Sequence, residues 1–162
     1  MLFLDYDGVL HPGDVYLLKG GPVLMRDGIA LFEWAPLLEE ALMPYADVKI
    51  VLSTSWVPVL RFDVAKSRLP QGLQNRVIGA TYHSRFAEQG ISREVWMSFS
   101  RYQQIQRYVT RHIGMGPWLA IDDDMEGWPN SQRHRVVTTD EDLGIAENGK
   151  IDELITKLET CR

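Results

Sequence analysis

A single cysteine, Cys161, stands in a chain of 162 residues. One thiol cannot close an internal disulfide, so the fold must rest on a packed core and nothing points to an oxidising compartment. No apolar run reaches the roughly 18 residues of a membrane span. No basic stretch precedes an apolar one near the start, so a signal peptide is not expected, and a cytoplasmic location without membrane contact is. Internal repeats and low-complexity tracts are missing. The four histidines, His11, His83, His112 and His134, show no metal-ligand spacing. What remains is the balance of an ordinary globular domain: 45% hydrophobic and 24% charged residues, enough chain to bury a core without cross-links. One domain over residues 1–162 is expected.

The net charge of −5 conceals an asymmetry. From Arg61 to His112 there are nine Lys/Arg against three Asp/Glu, a balance of +6; the rest of the chain stands at −11. Phe62, Tyr82, Phe86, Trp96, Phe99, Tyr102 and Tyr108 are interleaved with this charge. Such a mixture suits a phosphate-rich or nucleic-acid partner. It equally suits a solvated face over core aromatics.

The apolar pattern alternates between two kinds of segment. "LFLDY", "VKIVL", "RVIGAT", "WLAI" and "HRVVTT" read as short strands, apolar on both faces. "APLLEEALMPYAD" reads as a helix with Pro36 in its first turn and Leu37, Leu38, Ala41 and Leu42 on one face. "VPVLRFDVAKSR" reads as one short helix. "YQQIQRYVTRHIG" reads as a helix with Ile105, Tyr108 or Val109, and His112 or Ile113 inward, stopped by Gly114. "IDELITKLE" places Ile151, Leu154, Ile155 and Leu158 at helical spacing. "HPGDVYLLKGGPVLM" carries turn signals and reads as a loop or small hairpin. The expectation is an α/β fold, a parallel sheet of about five strands covered by helices.

Ligands of such sheets bind beyond the carboxyl ends of the strands. Three strand ends carry chemistry-bearing side chains: Asp5 and Asp7, then Ser53 and Thr54, then Asp122 and Asp123. Four ionised carboxylates at one edge would repel strongly. A hard cation with oxygen ligands resolves this, and Mg²⁺ is the usual one beside phosphate. Each acidic segment alone reads equally well as a solvated turn or a helix cap; the two together, each directly after a strand, indicate a metal site. Hydroxyls at a strand end donate to a phosphoryl oxygen or cap the next helix. Arg101, at a helix start, is placed to neutralise phosphate, although its charge alone does not single it out from the other eight basic residues of this stretch.

"LFLDYDGVLH" resembles the first motif of the haloacid dehalogenase (HAD) superfamily, "VKIVLS" its second, ending in Ser53, and "WLAIDDD" its acidic fourth. Arg101 lies 21 residues before Asp122 and matches the third, basic motif, with Arg in place of the commoner Lys; Arg93 and Arg107 are competing positions. The tail "RVVTTDEDLGI" further resembles a bacterial subgroup similar to the HAD domains of Swiss Army knife RNA-repair proteins. The resemblance implies a Rossmann-like three-layer HAD core. Fewer than fifty residues separate the first two motifs, which leaves no room for a large cap domain; residues 12–25 could form only a small flap.

The resemblance also implies a chemistry. Asp5 would be the nucleophile of a Mg²⁺-dependent phosphohydrolase and form an aspartyl-phosphate. Asp7 would act as general acid and then general base. Ser53, Thr54 and Arg101 would hold the substrate phosphate. The metal would be held by Asp5, Asp7 through its backbone carbonyl, Asp123 and Asp122. An open site favours large substrates, and the basic middle favours a nucleic-acid terminal phosphate or a nucleotide as partner. The competing readings are a small-molecule phosphatase, a catalytically silent binding module on the same fold, and a receiver domain. The order of the acidic motifs disfavours the last.

Overall fold

The computed structural model describes residues 1–112 and 116–161, with the backbone alone at Ala87. Ile113 and Gly114, expected inside and at the stop of a helix, lie outside the described residues. Five strands form one sheet: β1 (Leu2–Leu4), β4 (Ile50–Leu52), β5 (Val77–Ala80), β6 (Leu119–Asp122) and β7 (Val136–Thr138). Their order is β5-β4-β1-β6-β7, every pair parallel. β1 is therefore central and both of its edges are paired, as its unbroken apolar run requires.

Side chains alternate across β1 and divide the core. Leu2 and Leu4 join a large cluster with α1 (Ala35–Leu42) and α7 (Lys150–Thr160), through Leu38, Leu42, Leu154 and Leu158. Phe3 faces the other way, against Ile105 of α6 (Arg101–Arg111) and against Trp118 and Trp128. Its ring meets Tyr108 and Trp118 edge-on, at centroid separations of 5.5 and 5.7 Å. The result is three layers, helix–sheet–helix.

Several expectations are corrected. Leu37 is exposed, and Ala35 takes its place on the inner face of α1. "VPVLRFDVAKSR" forms two helices, α2 (Trp56–Leu60) and α3 (Phe62–Ser67), because Arg61 adopts a φ of 78° that no helix tolerates. In the first turn of α6 Gln104 is buried beside Ile105, which spacing did not anticipate; of the pair His112 or Ile113 expected inward at the other end, His112 is exposed and Ile113 lies outside the described residues. Two short helices, α4 (Gln71–Arg76) and α5 (Arg93–Met97), were not foreseen.

Among the described residues there is no large cap. The segment after β1 folds into an antiparallel hairpin, β2 (Val15–Leu18) with β3 (Gly21–Leu24), which leaves Tyr16, Leu17 and Leu18 exposed. Arg26 fastens its base, donating to Asp14 and Asp142 at 2.5 Å each.

Register fixes what stands at the carboxyl edge. Leu4 pairs with Leu52 on one side and with Ile121 on the other, so the next residues, Asp5, Ser53 and Asp122, stand abreast. With Thr81 after β5 and Thr138 paired to Asp122 at the end of β7, the edge reads Thr81–Ser53–Asp5–Asp122–Thr138, the first four buried and Thr138 half-buried. This row depends on the packing of β1. Leu4→Ala is expected to lower unfolding stability by about 2–5 kcal/mol, read as a reduced urea midpoint with unchanged slope.

Candidate active site

Asp5 is buried at the end of the central strand. Its Oδ1 accepts the Tyr6 backbone N–H at 2.7 Å and its Oδ2 accepts from Arg101 Nη2 at 2.9 Å. The same guanidinium reaches Asp122, with Nε 3.0 Å from Oδ2. That second contact is within ion-pair distance but misaligned for a hydrogen bond, and both atoms are otherwise unpartnered. Arg101 reaches inward because α6 begins just before it with a capping box. Ser100 Oγ accepts the Gln103 N–H, and the Gln103 side chain accepts the Ser100 N–H. Gln104 then steadies the guanidinium, accepting from Nη1 at 3.2 Å. The competing arginines stand elsewhere: Arg93 pairs with Glu94 on the surface, and Arg107 lies over the Phe99 ring.

Asp5, Asp122 and Asp123 each offer an oxygen within 4.8 Å of the others. Among the described residues they are the one such group of His, Cys, Asp or Glu. Gly8 makes room for Asp123. With φ at 66° it turns the chain under the acidic loop, and a Cβ there would run into the Asp123 carboxylate. Asp124 is exposed and occupied in a local turn, accepting the Glu126 N–H at 2.7 Å.

Burial dominates the electrostatics. It raises the Asp5 and Asp122 carboxyls above their ordinary range, against the pull of Arg101. Burial, with the Asp5 charge second, pushes Asp123 up to about 7. Burial also opposes the charge on Arg101, yet Asp5 and Asp122 together hold its guanidinium protonated, above the usual value. Three carboxylates face one guanidinium, and all donors are oxygen. A hard divalent cation fits that set better than a soft one.

Asp7 stands apart from the three. Its Oδ1 accepts from Trp56 Nε1 at 2.8 Å and from His11 Nε2 at 3.1 Å, and Ser55 Oγ approaches Oδ2 at 3.4 Å. His11 is wholly buried, and its Nδ1 accepts the Phe32 N–H at 3.3 Å. The network thus assigns the ring proton to Nε2, directed at Asp7. Phe32 presents its N–H from a left-handed backbone, φ 62°. The contact expected between Asp7 and a metal runs through its backbone carbonyl; its carboxylate is held in the opposite task, facing Trp56 and His11.

Ser53 is buried, and its Oγ has no partner among the described residues. Thr54 is also buried, but its Oγ1 accepts the Trp56 N–H at 3.3 Å and its hydroxyl bonds to Asp5. It therefore supports α2 and Asp5. Tyr6, between the two aspartates, points into the core and donates to the Ala65 carbonyl at 3.1 Å. His11 and Trp56 were not foreseen as site residues. Only the tight turn from Asp7 to His11 and the position of Trp56 behind a strand-end hydroxyl cluster hint at them in sequence.

A parallel sheet ending in Asp5 with Asp7 two residues on, a hydroxyl, an arginine and a second acidic pair define a HAD-type domain. The family comparison agrees. Residues 1–149 match the model of the HAD domain in Swiss Army Knife RNA repair proteins, and the chain belongs to that family, which places it among HAD-type hydrolases. Comparison with curated proteins and with solved structures finds no significant match. Among the described residues no helix is long and apolar enough to cross a membrane.

The raised carboxyls have a measurable consequence. A folded state that retains protons the unfolded chain has released loses stability as pH rises. For Asp123 that window runs from 3.8 to about 7. In chelator, the melting temperature is expected to fall across it as these carboxyls ionise. Mg²⁺ competes with those protons, so the rise in Tm it produces is expected to be small at pH 5 and largest near pH 8. A Mg²⁺ shift equal at both pH values would show that the three carboxylates do not hold the ion.

Proposed function

We propose that the domain is a Mg²⁺-dependent phosphohydrolase that works through an aspartyl-phosphate on Asp5, with nucleic-acid terminal phosphates as its substrate class. The observation that carries the reading is Ser53. A buried hydroxyl with no partner, abreast of Asp5, is costly unless a ligand supplies an acceptor. A phosphoryl oxygen is an acceptor of the right size, and Arg101 is on the far side of Asp5 to take another.

Asp5 attacks phosphorus through a carboxylate oxygen as the bond to the leaving oxygen breaks. Asp7 gives that oxygen a proton. Trp56 and His11 both donate to Oδ1 of Asp7, which leaves Oδ2 as the oxygen that carries the proton. In the second step Asp7 takes a proton from water as the water attacks the acyl-phosphate; inorganic phosphate leaves and Asp5 is restored. Ser53 and Arg101 hold the non-bridging oxygens, where the charge of transfer is spread. A divalent cation held by Asp5, Asp122 and Asp123 would let the anionic carboxylate and phosphate approach one another.

The substrate class rests on three features: the basic middle of the chain, the small hairpin in place of a cap, and the family's description as a domain of RNA repair proteins. Phosphate release from a phosphate-ended oligonucleotide, the matching mononucleotide and an aryl phosphate tests the chemistry and ranks the substrates. Asp5→Asn should abolish release from all three, by about a thousand-fold or more, while the folded state becomes no less stable. Release within a few-fold of wild type would remove Asp5 as nucleophile. Equal kcat/KM for oligonucleotide and mononucleotide at low salt would leave a small-molecule phosphatase.

The position of Asp7 generates a separate expectation. Trp56→Phe keeps the ring but removes the Nε1 donor. It should lower kcat by about ten- to a hundred-fold with KM little changed. A rise in KM at unchanged kcat would show that Trp56 serves binding and not the proton transfer.

A further inference from the structure

Beside the carboxyl edge lies a groove that the chemistry above does not use. It has a volume of about 790 Å³ and runs along the free edge of β5, between α2 and the end of α6. Arg61, Arg85 and Arg111 line it, with the rings of Phe62, Tyr82 and His83. Among the described lining residues Asp63 is the one acid. Arg111 is held in place: its guanidinium lies 4.3 Å over the Phe86 ring and donates to Gln89 at 3.2 Å. Tyr82 is braced edge-on by Phe86 and Trp96, at 6.0 and 5.9 Å, and is half-buried, so its ring is not fully covered.

The groove and the active site share their framework. β5 neighbours β4, and the Thr81 N–H bonds to the Leu52 carbonyl, one residue before Ser53. α2 supplies Trp56 to Asp7 at one end and leads into Arg61 at the other. A ligand in the groove is thus led toward Ser53, and one that fills both places must be a chain. Spaced guanidinium groups match a phosphate backbone. Aromatic rings between them match bases, which an acidic peptide cannot offer.

We propose that this groove binds a short single strand of nucleic acid, with its phosphates on Arg61, Arg85 and Arg111 and a base against Tyr82, and directs the strand's end to Ser53. The proposal rests on the phosphohydrolase reading only for what happens at that end. Binding itself is tested without it, by fluorescence anisotropy of a dye-labelled single strand of about ten nucleotides that ends in a hydroxyl.

Wild-type protein is expected to bind it with an affinity that falls steeply with salt. Arg85→Ala with Arg111→Ala should weaken binding about ten-fold and flatten the slope of log affinity against log salt by about 1.4, that is 0.7 per lost phosphate contact. Arg85→Ala alone, at an exposed position, should flatten it by about 0.7 and serves if the double variant melts early. Tyr82→Leu should weaken binding about five-fold with the slope unchanged. Poly-glutamate at equal charge should not displace the strand. No binding at low salt, variants that bind like wild type, or displacement by poly-glutamate would overturn the proposal. Phosphate release from small substrates without strand binding would reject the groove and spare the hydrolase. Strand binding without any phosphate release would do the reverse.

Discussion

The arrangement of this molecule turns on one guanidinium between two buried carboxylates. Parallel pairing of β1 with both neighbours leaves Asp5 and Asp122 side by side, about one strand spacing of 4.8 Å apart. Neither can move away without breaking the central sheet. Arg101 lies against both, at 2.9 and 3.0 Å, and is delivered there from the opposite layer by the capped start of α6. One positive charge against Asp5, Asp122 and Asp123 still leaves the cluster in negative excess. The excess is removed by protons, as the raised carboxyls indicate, or by a cation. The fold holds the site in a state of unmet charge, which a divalent ion alone would cancel with the sheet left as it is.

A second constraint acts on Asp7. Tyr6, His11, Phe32 and Trp56 form a wall of rings with centroid separations of 4.8 to 5.8 Å. The wall excludes water from one side of the Asp7 carboxylate and sends two N–H donors to a single oxygen. The left-handed backbone of Phe32 carries a cost of about 1–3 kcal/mol, offset by the packing of its ring and by the N–H it gives to His11. Two aspartates separated by one residue therefore experience opposite surroundings. Asp5 lies among charges, whereas Asp7 is held by the ring N–H groups of Trp56 and His11.

The strand ends were legible in sequence because they obey local rules. Short doubly apolar runs mark buried parallel strands, and a polar residue directly after each marks the edge. Asp5, Ser53 and Asp122 could be placed together from that pattern, and Arg101 from its resemblance to a motif. The clamp on Asp7 was not legible. His11 meets Phe32 across 21 residues and Trp56 meets Asp7 across 49, and no periodicity encodes such contacts. The break at Arg61 was missed for a different reason: helix propensity carries no signal for an arginine at positive φ. Leu37 was assigned inward by spacing alone, yet in a helix of eight residues a shift of one position turns the apolar stripe away from the sheet.

Charge counts mislead in the same way until geometry sorts them. The basic middle of the chain appears as one block in sequence, but its members do different work. Arg76 donates to the carbonyls of Leu42, Tyr45 and Val48, closing the C-terminal end of α1. Lys66 donates to the Val77 carbonyl at the start of β5. Arg101 is spent on the carboxylates of the site. These charges are bound within the fold and add little to the field outside it. Arg61, Arg85 and Arg111 meet again in one groove at the sheet edge, although they are separated by up to fifty residues in the chain. Their convergence beside the carboxyl ends of the strands, and not the block of charge itself, brings part of the basic middle next to the edge that carries Asp5.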